Sequence, residues 1–256
     1  MNETDIDTTP FHHEGATDVG VLVCHGFTGS PHSVRPWAKH LAEHGWTVSL
    51  PLLPGHGTHW RDCNRTTWQD WYATVDVAFQ RLHERCERVF VCGLSMGGTL
   101  ALRIAEVHGS DVAGVVVVNP SVTMVRWDTR FLPVLANVVP SVAAIGNDIA
   151  KPGMLEGAYD RTPVRAAASL RRFQRVVRGD LGRVTQPLLL LHSAQDHVVE
   201  PVNSALVLSG VASGDVQEIV LAESYHVATL DHDAPLIFDK TVEFINRLSR
   251  RARSSR

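Results

Sequence analysis

The chain has 256 residues, long enough for one large α/β domain with a small insertion, and its 44% hydrophobic and 20% charged residues are typical of a soluble globular enzyme. A formal net charge of -3 gives no reason to expect a nucleic-acid partner. The acidic first residues lack the basic and apolar regions of a signal peptide, no apolar run is long enough to cross a bilayer, and the four cysteines show no paired spacing, so we expect a cytoplasmic protein.

The first part of the chain alternates short apolar runs with amphipathic stretches. After a polar lead-in, the Val-rich run 19–24 predicts a buried strand. A helix is expected over 34–44 and a further strand over 46–50. A long helix then begins after Thr66 or Thr67 as N-cap, because large apolar residues recur there at helical spacing.

A strand-turn-helix pattern centred on Ser95 comes next. The apolar run 89–94 ends in the sequence Gly93-Leu-Ser95-Met96-Gly97, and a helical pattern follows at once. This is the G-x-S-x-G arrangement, in which a strained turn lifts the serine hydroxyl clear of the sheet. The two glycines lack a Cβ where strand and helix come closest. The pattern predicts a nucleophilic serine, whereas a glycine-rich connection with an incidental serine is the alternative.

The second part of the chain resumes the alternation. Strands are expected over 113–118, 187–192 and 217–221, and helices over 202–212 and 235–248. Nearly continuous apolar strands alternating with helices predict an α/β fold, with a mostly parallel central sheet and helices on both faces.

The stretch 121–185 does not keep this alternation. We interpret it as an inserted cap of short helices, with 1–120 and 186–249 as the core and 250–256 as a basic disordered tail. The apolar section of the cap comprises Phe131, Leu132, Val134, Leu135, Val138 and Val139.

A nucleophilic serine needs a base, and the base needs an orienting acid. In an open parallel sheet, catalytic side chains lie just beyond the carboxyl ends of strands. Asp196 follows the strand 187–192, and His226 follows the strand 217–221. The chain order Ser95, Asp196, His226 is the one expected for an α/β-hydrolase. Alternatives of the same residue types are Asp215, Asp231, Asp233 and His232.

The loop after the first long strand is expected to supply an oxyanion donor. The Phe27 N–H is the candidate, with Gly26 allowing close approach, and the Met96 N–H at the helix start is the second donor. His25 and His56 lie nearby, but their spacing does not match a metal site, and we expect His25 to organise the loop by hydrogen bonding.

Taken together, these segments closely resemble bacterial monoacylglycerol lipases and related small carboxylesterases. The resemblance covers nearly the whole chain except its acidic N-terminus and basic tail. The motifs that carry it are HGFTGSPHS (25–33), PGHGTH (54–59), TTWQDWYATV (66–75), GLSMGGTL (93–100), SAQDHVV (193–199) and SYHVATLD (224–231).

The resemblance implies an α/β-hydrolase fold with a small lipophilic cap, no metal or other cofactor, and hydrolysis of glycerol monoesters of medium and long fatty acids. The family's triad falls on Ser95, Asp196 and His226, and its oxyanion donors fall on Phe27 and Met96.

A cap glutamate in the family receives the glycerol hydroxyls, and it falls on Glu156. Its alternative interpretation is an exposed helix glutamate. The apolar section of the cap is a candidate wall for the acyl chain, or else it only packs the cap onto the core.

Arginines crowd the end of the cap and the tail. They suggest weak peripheral contact with anionic lipid, against the alternative of a solvated helix face and a disordered tail. These residues are Arg165, Arg171, Arg172, Arg175, Arg178, Arg250, Arg251, Arg253 and Arg256.

We therefore expect a serine ester hydrolase that cleaves monoacylglycerols through an acyl-enzyme, as a monomer or a homodimer. A broad carboxylesterase without glycerol recognition is the second hypothesis, and a ligand-binding receptor on the same scaffold is the third. Haloperoxidases and C–C hydrolases use similar triads and remain open alternatives.

Overall fold

The structure is a computed structural model that describes residues 6–124, 138–144 and 146–254. The strands in this part of the chain are β1 Phe11–His13, β2 Val19–Cys24, β3 Thr47–Leu50, β4 Arg88–Leu94, β5 Val112–Val118, β6 Ser141–Ala143, β7 Arg161–Pro163, β8 Leu188–Ser193 and β9 Val216–Leu221. The helices are α1 Arg35–Glu43, α2 Trp60–Cys63, α3 Trp68–His83, α4 Met96–His108, α5 Val164–Asp180, α6 Val202–Gly210 and α7 Ala234–Ser254.

A seven-stranded sheet forms the centre of the molecule, in the order β1-β3-β2-β4-β5-β8-β9. All neighbours in it are parallel except β1, which runs antiparallel to β3 along the edge of the sheet. The strands β6 and β7 pair separately as an antiparallel ribbon. The predicted α/β fold with a mostly parallel sheet is thereby confirmed.

The two faces of the sheet carry separate hydrophobic clusters, because side chains alternate between faces along each strand. Val89 and Val91 of β4 pack with α3, α4 and α5 on one face. Phe90 and Cys92 pack with α1 and α7 on the other. Burial on both faces explains why the inner strands are nearly continuous in apolar residues.

Most predicted elements lie within two residues of the observed ones. Thr67 is the N-cap of α3, in a capping box with Asp70. Four features differ from the prediction: the lead-in contains β1, the cap segment contains the ribbon β6–β7, α5 is one helix of 17 residues rather than several short ones, and α7 is longer than expected. The helix α7 continues to Ser254, although the basic composition of 250–256 predicts a disordered tail.

Helix α5 lies within the segment predicted as a cap, yet it packs into the core. Phe173 and Val177 are fully buried in the cluster that α3 and α4 share. The ring of Trp68 stacks on that of Phe173 with 5.0 Å between the ring centroids, and the backbone N–H of Trp68 donates to Ser169 Oγ at 2.9 Å. Of the apolar cap section, Val138 is exposed and Val139 is half-buried, whereas residues 131–135 lie outside the described residues.

No helix in the described part of the chain is long and apolar enough to cross a membrane.

The turn between β4 and α4 is unusually tight. Ser95 has φ 57° and ψ -119°, a backbone conformation that costs a non-glycine residue about 1–3 kcal/mol. A Cβ at Gly93 would overlap the backbone of Gly97, and one at Gly97 would overlap the carbonyl of Cys24 at the end of β2. The strain at Ser95 is therefore held by backbone packing that only glycine permits.

Substitution of Gly97 by alanine should lower the free energy of unfolding by about 3 kcal/mol, because the new methyl group overlaps main chain that cannot rotate away. Urea denaturation measures this. Gly179→Ala is the matched control: it lies in α5 with no atom within 4 Å of an added Cβ, and should stabilise the protein by about 0.5 kcal/mol. Equal stability of the two variants would contradict this account of the turn.

Candidate active site

Ser95 stands at the carboxyl end of β4, between the ends of β2 and β5. Its N–H donates to Val118 O at 2.9 Å, and its carbonyl accepts from Ser121 N at 3.3 Å. These two bonds attach the turn to the chain leaving β5. The side chain is half-buried, with its hydroxyl 3.0 Å from His226 Nε2.

His226 and Asp196 complete a hydrogen-bonded series with Ser95. His226 Nδ1 lies 2.8 Å from Asp196 Oδ2. Because an ionised carboxylate can only accept, Nδ1 carries the proton and Nε2 is left to accept from the Ser95 hydroxyl. Asp196 is itself fixed by the backbone N–H groups of Val198 and Val199, at 2.9 and 2.7 Å from its Oδ1.

The residues weighed against Asp196 and His226 have other contacts. Asp215 forms an ion pair with Arg247 at the opposite end of β9. The Asp233 carboxylate accepts from Glu223 N at 2.9 Å, and the His232 N–H donates to the buried Asp231. The structure thus brings Ser95, Asp196 and His226 together.

The charges around His226 favour its protonated form. Burial alone would lower the pKa of His226, but the hydrogen bond and charge of Asp196, followed by the charges of Glu156 and Asp148, raise it above the ordinary value. For Asp196, burial would raise the pKa, but the bond to His226 and the backbone N–H groups hold it below its usual range. The carboxylate of Asp196 is therefore arranged to stabilise the imidazolium that forms when His226 takes a proton.

The loop that carries Phe27 stands directly against Ser95. A Cβ added to Gly26 would lie 3.4 Å from Ser95 Cβ, so the main chain passes closely over the serine. The Phe27 ring packs on Trp71 at 5.7 Å. Met96, the other expected donor, is the first residue of α4, where backbone N–H groups are free of helix partners. Both predicted donors thus lie beside the serine.

Two buried histidines support this loop in their neutral form. Leu53 N donates to His25 Nε2 at 3.2 Å, so His25 Nδ1 carries the proton and donates to Gly26 O at 3.0 Å. Burial, then the neighbouring His56, lowers the pKa of His25 to about 3, and burial lowers that of His56 to about 4. The expected role of His25 in organising the loop is confirmed. No group of three or more His, Cys, Asp or Glu in the described chain is placed to hold a metal ion.

Glu156 lies close enough to His226 for the charges of the two groups to interact. It is half-buried, and its Oε2 accepts from Asn147 N at 3.3 Å. Burial raises its pKa, and the charge of His226 acts in the opposite direction. A Cβ on Gly29 would come within 3.2 Å of Oε1, so the Phe27 loop faces this carboxyl group.

Sequence reasoning missed Asn119, which supports the site from the end of β5. Its amide donates to His226 O at 2.8 Å and to Ser193 Oγ at 3.0 Å, and its Oδ1 accepts from Ser193 N at 2.8 Å. Asn119 has φ 45°, a conformation that asparagine tolerates better than most residues. Its position directly after a strand, at the edge that carries the triad residues, was the available signal.

The comparisons with known proteins place this geometry in a family. A family model for Hydrolase_4, described as serine aminopeptidase, S33, matches residues 15–233. The chain belongs to the Hydrolase_4 family.

Relatives of this Hydrolase_4 protein include lipases and esterases. It is 41% identical over 242 residues to the thermostable monoacylglycerol lipase of Bacillus sp. (strain H-257), covering 92% of this chain and 93% of the relative. It is 26% identical to a carboxylesterase of Bacillus subtilis (strain 168), over 93% of this chain and 96% of the relative.

A solved structure from work on LipS and LipT, two metagenome-derived lipolytic enzymes, superposes with a TM-score of 0.91 at 39% identity, covering 94% of this chain and 98% of the other. The resemblance to bacterial monoacylglycerol lipases and the α/β-hydrolase fold are confirmed.

Reaction of Ser95 with a fluorophosphonate should increase with pH as His226 loses its proton, with a midpoint above about 6.5, the ordinary imidazole value. The direction follows from the raised pKa of His226. In Asp196→Asn the midpoint should move to lower pH and the plateau rate should fall by about 10⁴-fold, because the ring loses its charge partner and correct tautomer. Stopped-flow or gel-based labelling across pH 5–9 measures both quantities. Wild-type and variant profiles with the same midpoint would refute the assignment.

Proposed function

We propose that this protein is a monoacylglycerol lipase, a serine ester hydrolase that releases a fatty acid and glycerol through an acyl-enzyme on Ser95. The observation that carries the proposal is the contact of Ser95 with His226, at 3.0 Å, in a chain 41% identical to a monoacylglycerol lipase over 92% of its length. A carboxylic ester hydrolase is the enzyme class that these findings support.

In the proposed acylation step, Ser95 Oγ attacks the ester carbonyl while His226 Nε2 takes its proton. Negative charge develops on the carbonyl oxygen, where the N–H groups of Phe27 and Met96 stabilise it. The tetrahedral intermediate then collapses, and His226 returns the proton to the departing glycerol oxygen. Asp196 holds the ring and stabilises the imidazolium through the 2.8 Å bond.

Deacylation uses the same groups with water in place of the serine. His226 takes a proton from water, which attacks the acyl carbonyl, and then protonates Ser95 Oγ as the fatty acid leaves. Because the imidazolium forms in both halves, the carboxylates around His226 act twice in each turnover.

Glycerol recognition is assigned to Glu156. Its carboxyl group is close enough to influence His226 electrostatically and faces the loop that carries Phe27. Hydrogen bonds to the two free glycerol hydroxyls would favour a monoglyceride over a simple alkyl ester, because an ester without hydroxyls leaves the carboxyl unpaired. We retain 121–185 as the cap that encloses the acyl chain, with α5 as its core-packed end.

A broad carboxylesterase is the second candidate. The carboxylesterase of Bacillus subtilis (strain 168) aligns over 93% of this chain, so the same core also supports that activity. The triad and oxyanion donors suffice for it, and Glu156 would then play no part in substrate choice.

We also propose a cytoplasmic enzyme with weak contact to anionic lipid. All four cysteines are unpaired and buried, as expected in a reducing compartment. Arg171, Arg175 and Arg178 follow one face of α5, and burial together with the charges of the other two lowers the pKa of Arg171. Such a row attracts anionic headgroups with about 1 kcal/mol per arginine.

Kinetics on a medium-chain monoacylglycerol and the methyl ester of the same acid test the substrate assignment. We expect Glu156→Gln to lower kcat/KM by about 10-fold on the monoacylglycerol and little on the methyl ester, because only the former has hydroxyls to bond. Ser95→Ala should abolish turnover of both. Equal rates on the two esters, unchanged by Glu156→Gln, would favour the carboxylesterase.

Co-sedimentation with vesicles tests the lipid contact. Wild-type protein should bind phosphatidylglycerol-containing vesicles at low salt and release them at 0.5 M salt, because screening weakens exposed charge pairs. Replacing both Arg171 and Arg175 by Gln should reduce binding, whereas the same change at Arg81, in the last turn of α3, and at Arg85, just after that helix, should not. Binding that persists at high salt, or is lost equally in both variants, would contradict the role of α5.

A further inference from the structure

The cap loop that carries Glu156, residues 147–156, is closed by its own side chains. Asn147, at φ 59°, accepts from Glu156 N through its Oδ1 at 2.8 Å and donates from Nδ2 to Met154 O at 3.2 Å. In return, Glu156 Oε2 accepts from Asn147 N at 3.3 Å. The position of the Glu156 carboxyl group therefore depends on the contacts that attach this loop to the rest of the protein.

Asp148 reaches from this loop to the segment that carries His226. Its Oδ2 accepts from the backbone N–H groups of His226 and His197, each at 3.1 Å. Its Oδ1 lies 2.7 Å from His197 Nδ1, and its carbonyl accepts from Val227 N at 3.1 Å. The Asp148 side chain is only 11% exposed. One carboxylate of the cap loop thus binds the main chain at His226 and at His197, the neighbour of Asp196.

Asp231 reaches across the same boundary in the opposite direction. Its Oδ2 accepts from Ala150 N at 2.7 Å, and its Oδ1 accepts from Lys151 N at 2.9 Å, both in the cap loop. It also accepts from Tyr225 N and His232 N, at 2.9 and 2.8 Å, in the segment around His226. Asp231 is 1% exposed.

Withdrawing the cap loop would take two of four backbone donors from the buried Asp231 and would separate Asp148 from its donors at His197 and His226. Hydrogen bonds to a charged acceptor are stronger than neutral ones, and an uncompensated buried charge is among the costliest defects in a protein. Asp148 on the cap loop and Asp231 near the His226 segment therefore fix the position of these two segments relative to each other.

We propose that Asp148 and Asp231 form a reciprocal carboxylate clasp that positions His226 relative to Glu156, with Asp148 acting as a positioning residue for the general base. The coupling to Glu156 rests on the proposed function, whereas the positioning of His226 requires only an ester hydrolase. Asp148 accepts the backbone N–H of His226, and its negative charge is near enough to stabilise the imidazolium that forms during turnover.

The groups that face His226 are Ser95, Asp196, Glu156 and Asp148, with His197 on the far side of Asp148. Asp196 dominates, but the negative charge of Asp148 also raises the pKa of His226. Removing that charge should therefore lower the pH at which His226 becomes neutral.

The test compares wild type, Asp148→Asn and Asp215→Asn with p-nitrophenyl butyrate across pH 5–9. Active sites are counted with a fluorophosphonate, so that rates refer to competent protein. Asparagine keeps the shape and an acceptor oxygen of Asp148 but removes its charge. Asp215→Asn removes the same charge at the far end of β9, where Asp215 pairs with Arg247.

For Asp148→Asn we expect the acid limb of kcat/KM to move to lower pH and the plateau to fall by about 10-fold, because the ring is less well fixed and its imidazolium less stabilised. Asp215→Asn should leave both unchanged. A variant whose acid limb and plateau per active site match wild type, with only fewer competent molecules, would overturn the proposal and leave Asp148 a merely structural residue.

The monoacylglycerol and methyl ester pair tests the other end of the clasp. Asp148→Asn should lower the preference for the monoacylglycerol when position 156 is glutamate. It should not lower that preference further in the Glu156→Gln variant, because the two residues act through one loop. The same loss of preference in both backgrounds would overturn the coupling. Absence of any preference in wild type would instead refute glycerol recognition, and the p-nitrophenyl ester would still decide the positioning role.

Discussion

The close approach of β4, α4 and the end of β2 is the constraint on which the site depends. Only backbone fills the space where Gly93 and Gly97 meet their neighbours, and Ser95 is consequently forced into a positive-φ conformation. The cost of about 1–3 kcal/mol for that conformation is small against the burial of the surrounding strands. Because Ser95 also bonds to Val118 and Ser121, the turn is attached on both sides. The serine hydroxyl is thus presented at a fixed point, and every other group of the site is placed in relation to it.

Charge is distributed unequally around that point. Beside Phe27, burial lowers the pKa of His25 to about 3 and that of His56 to about 4, so both rings are uncharged at neutral pH. The carboxyl groups of Asp196 and Asp148, by contrast, bring negative charge close to His226. Acyl transfer develops negative charge on the carbonyl oxygen and positive charge on the imidazole. In the proposed reaction, backbone N–H groups stabilise the negative charge on the carbonyl oxygen, and the carboxylates stabilise the positive charge on the imidazole.

Prediction from the sequence is most direct where the signal is local or follows strand order. Runs of Val and Leu located β4, β5 and β8 because strands buried on both faces admit little else. Ser95, Asp196 and His226 could be selected because each directly follows a strand at one edge of the sheet. By contrast, β1 exists through its pairing with β3, for which Phe11–His13 carry no pattern of their own. Asp148 was equally inaccessible, since its partners lie 49 and 78 residues away and its own surroundings resemble any polar loop. Helix α5 was a different failure: its apolar spacing was present, but the segment was assigned to a cap of short helices.

The packing of α5 makes this helix part of the core of the molecule. The helix joins α3 through the stacked rings of Trp68 and Phe173, and Gln174 donates to Ser121 at the exit from β5. The helix α5 therefore covers one face of the sheet and belongs to the core, although it lies in the segment predicted as a cap. In the described part of the chain before it, the loop 147–156 is attached to the core by polar contacts instead, through Asp148 and Asp231. Because Asp231 is met by the backbone N–H groups of Ala150 and Lys151, this attachment does not depend on which side chains, other than proline, those two positions carry.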